Sequence, residues 1–119
     1  MYFFDTYALI EMMLGNRKYM QYAGFQLTVS PLNIGELYIY MHRTYGKTAA
    51  NGKLALMFFN TLELTQEIII SAADFKLAHA EKRLSWADCV GYAAAKRRGL
   101  KFLTGDLQFR GMPNVEFVK

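Results

Sequence analysis

The chain has 119 residues, 53% of them hydrophobic, and a formal net charge of +4. That length supports one core but not two ordinary domains, so residues 1–119 read as a single domain; no apolar stretch nears the roughly 20 residues that span a membrane. Cys89 is the sole cysteine, which excludes an internal disulfide and a thiolate zinc cluster, and the excess of 14 Lys and Arg over 10 Asp and Glu favours an anionic partner without identifying it.

Met1 to Asp5 is a β-rich apolar run that stops at Asp5-Thr6, and Tyr7 to Leu14 carries helical spacing up to Gly15-Asn16. With no basic region ahead of it and no small-residue cleavage site, this N-terminus does not read as a secretory signal. A soluble protein of the reducing cytoplasm is expected.

Arg17 to Gly24 suits a second short helix and Phe25 to Ser30 a strand, with Ser30 placed to cap a helix that opens at Pro31. From Leu32 to Tyr45 the apolar residues Ile34, Leu37, Tyr38, Met41 and Tyr45 share one face, and Asn33, Glu36, Tyr40 and Arg43 share an adjoining polar one. Gly46 ends that helix. A further helix is expected over Lys53 to Leu62, a short buried strand over Glu67 to Ile70, and a helix from Ser71 to Leu84.

Ser85-Trp86-Ala87-Asp88 has the form of a helix start, with Ser85 as N-cap and Asp88 at the third position, leading to Arg98 and a stop at Gly99. Leu100 to Thr104 reads as a strand broken by Gly105-Asp106, and Asn114 to Val118 as a last β segment. Strands separated by helices imply an α/β fold in three α/β/α layers, with a short, mostly parallel central sheet.

In such a sheet, ligands bind beyond the carboxyl ends of the strands. Asp5 and Asp106 follow strand ends and Asp88 opens a helix on that side, so three of the chain's four Asp residues converge on one edge. Each has a simpler role available: Asp5 as a helix cap, Asp88 as a partner of its helix dipole, Asp106 as a turn residue. Carboxylates about 5 Å apart repel by roughly 3 kcal/mol at an effective dielectric of 20, so a cluster needs a cation or a shared proton. Mg²⁺ or Mn²⁺ suits oxygen ligands, and few softer ligands are present. Such a site can hydrolyse phosphodiesters.

Asp5-Thr6 after the first strand, Glu36 within a helix, Ser85-Trp86-Ala87-Asp88 opening a helix and Leu103-Thr104-Gly105-Asp106 ending a strand together resemble the PIN-domain pattern. The resemblance runs through nearly the whole chain and is most specific from Leu84 to Phe109. It implies an Mg²⁺- or Mn²⁺-dependent ribonuclease whose acidic site is Asp5, Glu36, Asp88 and Asp106, with Thr6 and Thr104 supplying hydroxyls nearby. PIN domains of this length resemble the toxins of toxin-antitoxin pairs, which implies an RNA substrate, a cognate antitoxin protein and a homodimer.

Arg43, about two turns beyond Glu36, is placed to reach a phosphate, although a solvated arginine is the simpler reading. Lys96-Arg97-Arg98 reads first as cations at a helix C-terminus, Trp86 as packing or dimer surface, and His42 and His79 as non-catalytic, having no nucleophile partner. A phosphoacceptor receiver domain lacks its acceptor, because Ile70 is followed by Ser71-Ala72, and an aspartyl-nucleophile phosphatase would need Asp where Tyr7 stands. A catalytically silent RNA- or protein-binding module stays open.

Overall fold

Along a strand, neighbouring side chains point to opposite faces, and two strands of this chain are apolar on both. In the computed structural model, which describes residues 1–119, β1 (Tyr2–Phe4) and β4 (Lys101–Thr104) lie side by side. Phe3 and Phe102 enter one half of the core, while Phe4 and Leu103 enter the other. Strands buried on both faces are typical of parallel sheets covered by helices. With β2 (Leu27–Val29), β3 (Phe59–Thr61) and β5 (Val115–Phe117), they form a five-stranded sheet ordered β3-β2-β1-β4-β5, parallel throughout.

One face is covered by α1 (Thr6–Met13), α2 (Pro31–Tyr45) and α3 (Lys47–Ala55), through Ala8, Leu9, Leu37, Met41 and Ala50. Tyr19 and Tyr22, from the 3₁₀ segment Arg17–Tyr22, complete that half. The other face is covered by α4 (Gln66–Ala78) and α5 (Trp86–Arg97). These two run antiparallel: Glu67 of α4 pairs with Arg97 of α5 at 3.0 Å, and Phe75 stacks on Tyr92 with centroids 4.6 Å apart. Gly91 lets α5 sit on the sheet, since a Cβ there would come within 2.9 Å of the Phe3 ring and 3.2 Å of Phe102.

The expected three-layer α/β/α architecture is therefore present, with local differences: the helix expected to reach Leu84 ends at Ala78, and two segments differ in kind. Glu67 to Ile70 is not a strand but the start of α4. Thr65 accepts from the Ile68 amide at 3.3 Å and Glu67 complements the helix N-terminus. Ile68 is fully buried while Ile70 is 53% exposed, a helical distribution in which β propensity yields to packing. Lys53 to Leu62 is likewise not one helix: α3 ends at Ala55, and β3 supplies the missing edge strand from Phe59-Asn60-Thr61. No helix is long and apolar enough to cross a membrane.

Candidate active site

The strand order reverses between β1 and β4: the chain moves from β1 outward to β2 and β3, then returns to β4 on the other side. Crevices for ligands form at such switch points, beyond the carboxyl ends of the strands. Asp5 follows β1 there, and Thr104 closes β4 beside it. The Thr104 hydroxyl donates to Asp5 Oδ2 at 2.7 Å and accepts from the Asp106 amide at 3.1 Å. Gly105 permits this close turn, because any Cβ would collide with the Val118 carbonyl and the Tyr7 ring.

Asp5 occupies the N-cap position of α1, yet its side chain makes no capping bond. It is only 3% exposed. Burial first, then the negative charge of Asp88 and more weakly that of Glu36, raise its pKa from 3.8 to about 7, against the lowering effect of the Thr104 hydroxyl and the Thr6 amide. The simplest role for this acid, a helix cap, is thus unfilled.

Asp88 does fill its simpler role. Its Oδ2 accepts from the Ser85 amide at 2.8 Å while its own amide donates to Ser85 Oγ at 3.0 Å, a reciprocal capping box. Its Oδ1 has no such bond. Burial and the charges of Glu36 and Asp106 push its pKa upward, with the Ser85 amide and hydroxyl opposing them. Asp106 caps the 3₁₀ turn Leu107–Phe109 by accepting from the Gln108 amide at 3.0 Å.

Glu36 is brought in from α2. Thr6 donates to its Oε1 at 2.6 Å and in turn accepts from Asn33 Nδ2 at 3.1 Å. Asn33, fully buried, also accepts through Oδ1 from the Ser30 amide and hydroxyl, at 3.0 and 2.8 Å. The expected cap at Ser30 is therefore a Ser30–Asn33 pair that reaches across to Thr6. Asn33 is a positioning residue the sequence reading left on a polar face; the Ser-x-x-Asn spacing ahead of an apolar helix is the signal that marks it.

The four acids are thus gathered on one edge, each tied by a hydrogen bond, and they raise one another's pKa where a shift is resolved. They remain an open set, since no three acidic, His or Cys side chains stand in a metal-ligating arrangement. No basic side chain neutralises them either: the ion pair of the chain is Glu67–Arg97, on α4 and α5. One buried and three part-exposed carboxylates without a cationic partner are a donor set a hard cation fits, and Mg²⁺ tolerates an open set because it keeps several of its waters. Arg43 is exposed on α2, lining the same surface groove as Glu36. His42 and His79 lie outside the acid cluster; His79 Nδ1 contacts the Phe75 carbonyl at 2.9 Å. Because β3 ends at Thr61 and Leu62 follows, a receiver-type acceptor Asp is missing at the true third strand as well.

The chain belongs to the PIN domain family, whose profile matches residues 2–115. No curated protein matches it. Among solved structures it is similar to a toxin-antitoxin complex from Klebsiella pneumoniae, at 22% identity and a TM-score of 0.74, covering 98% of this chain and 96% of that one. It is also similar to VapC20 of Mycobacterium tuberculosis, a toxin that cleaves the sarcin-ricin loop, at 18% identity and a TM-score of 0.72, covering 98% and 99%. A third likeness is to VapBC2 from Rickettsia felis bound to a fragment of its promoter DNA, at 13% identity and a TM-score of 0.73, covering 98% and 96%.

Proposed function

We propose that the protein is an Mg²⁺- or Mn²⁺-dependent endoribonuclease, the toxin of a toxin-antitoxin pair, with Asp5, Glu36, Asp88 and Asp106 as its metal-binding and catalytic acids. The observation that carries this reading is Asp5: a buried carboxylate that makes no capping hydrogen bond, held toward the edge by Thr104 and surrounded by acids rather than bases. A bound divalent ion would supply a water of lowered pKa and charge stabilisation at the leaving oxygen. Thr104 and Thr6 orient Asp5 and Glu36, and Ser85 fixes one oxygen of Asp88 while leaving the other for the ion.

The likeness to toxin structures supports a cognate antitoxin protein as partner. A homodimer, an RNA substrate and a cytoplasmic setting complete the proposal. The open arrangement of the acids favours one alternative, a catalytically silent RNA- or protein-binding module. Thermal unfolding with millimolar Mn²⁺ or Mg²⁺ separates the two. An ion at 100 times its Kd adds about 2.7 kcal/mol, a rise in Tm of about 10 °C at this size. That rise, absent in Asp88→Asn, is expected of the nuclease; no rise in the native protein supports the silent module.

A further inference from the structure

Along α2, the face that carries Glu36 continues into a surface groove of about 400 Å³ lined by Glu36, Ile39, Tyr40, Arg43 and Thr44. The groove shares Glu36 with the acidic edge, so the two adjoin. Glu36 and Arg43 are seven positions apart, a rise of about 10 Å along the helix axis. Negative charge at one end gives way to positive charge at the other.

Three features give this groove a chemical character. Arg43 is exposed and makes no ion pair, since the salt bridge of the chain lies elsewhere. Tyr40 is half-buried, packed against the core below α2, and is one of the residues that line the groove. A side chain anchored in this way loses little freedom when a flat ligand lies against it. Ile39 is 49% exposed beside it and adds an apolar flank.

We infer that the Tyr40–Arg43 groove is a subsite for the nucleotide adjoining the scissile phosphate of a single-stranded RNA, with Tyr40 stacking its base and Arg43 contacting its phosphate. This rests on the ribonuclease reading of the acidic edge and adds to it a path for the strand along α2. A backbone cation and an aromatic ring in one groove are the two elements that hold single strands without reading their sequence. An unstacked base reaches the ring, whereas a base stacked inside a duplex does not. The subsite therefore selects single-stranded over double-stranded RNA.

The test measures anisotropy of a fluorescent single-stranded RNA oligonucleotide with Ca²⁺ in place of Mg²⁺ or Mn²⁺, in parallel with cleavage of the same oligonucleotide in Mn²⁺. Native protein, Tyr40→Ala, Tyr40→Phe and Arg43→Ala are compared. Loss of the ring is expected to weaken binding roughly five- to hundredfold, with Tyr40→Phe restoring it. Arg43→Ala is expected to weaken binding and lower the salt slope by about 1. In cleavage, both losses should appear chiefly in KM, and the Mn²⁺-induced rise in Tm should be unchanged. If the native protein cleaves the RNA and the Ala variants bind and cleave it equally well, the subsite is wrong while the nuclease reading stands. If the native protein neither binds nor cleaves single-stranded RNA, the nuclease reading itself fails.

Discussion

Thr104 and Asp5 lie 99 residues apart in sequence and 2.7 Å apart in space, the hydroxyl at the end of β4 donating to the carboxylate at the end of β1. The parallel register Phe4↔Leu103 sets this meeting, because it brings the next residue of each strand to the same level. The same hydroxyl accepts from the Asp106 amide, so one fully buried side chain organises two of the four acids.

Thr104→Val keeps the shape and removes both bonds. Leaving a buried carboxylate and an amide without this partner costs about 1–3 kcal/mol. Urea denaturation should show that loss, and Mn²⁺ should bind more weakly than to the native protein. Unchanged stability would mean that the bond does not hold Asp5.

Asp5 also sets a pH dependence in the metal-free protein. Its folded pKa, about 7, lies above its ordinary 3.8, so the folded state binds its proton more tightly than the unfolded state. The associated stability is fully present below about pH 4 and is lost as pH rises through 7. The contribution is several kcal/mol in order of magnitude. Chemical denaturation between pH 4 and 8 should show this fall and Asp5→Asn should flatten it; an identical slope in the variant would contradict the assignment. Because binding a cation requires the carboxylate form, Mn²⁺ affinity should rise over the same range.

Gly105→Ala tests the turn behind the site. The added Cβ would meet the Val118 carbonyl and the Tyr7 ring, and backbone cannot yield as a flexible side chain does. A loss of about 1–3 kcal/mol is expected. Gly52→Ala in α3, where nothing lies within 4 Å, should instead stabilise by about 0.5–1 kcal/mol through helix propensity. Paired thermal melts check both signs.

The sequence makes most of this fold legible because its punctuation is local. Asp5-Thr6, Ser30-Pro31, Ser85 to Asp88 and Gly99 mark element ends by rules of capping and backbone geometry that need no tertiary information. The third strand was hidden for the opposite reason. Phe59-Asn60-Thr61 is a partly exposed edge strand whose three residues show too little alternation to stand out, while the Ile68 to Ile70 run offered a stronger β signal that burial on α4 overrides.

At the site, Asp5, Asp88 and Asp106 could be placed on one edge from strand ends and a helix start alone, whereas Glu36, inside α2, entered only through the resemblance to PIN domains. The ties between them could not. Thr6 to Glu36, Asn33 to Thr6 and Thr104 to Asp5 join residues 27 to 99 positions apart, and only the parallel register and the docking of α2 bring them within reach. Likewise, the open spacing of the acids depends on side-chain directions that residue order does not encode.

The most direct test of the acidic edge is cleavage of single-stranded RNA in Mn²⁺ by the native protein and by Asp5→Asn, which retains the shape of the side chain and its ability to accept from Thr104. The account predicts cleavage by the native protein that EDTA abolishes, and a folded Asp5→Asn protein with at least hundredfold lower activity, in the range of several kcal/mol of lost transition-state stabilisation. Cleavage by Asp5→Asn at the native rate would contradict it.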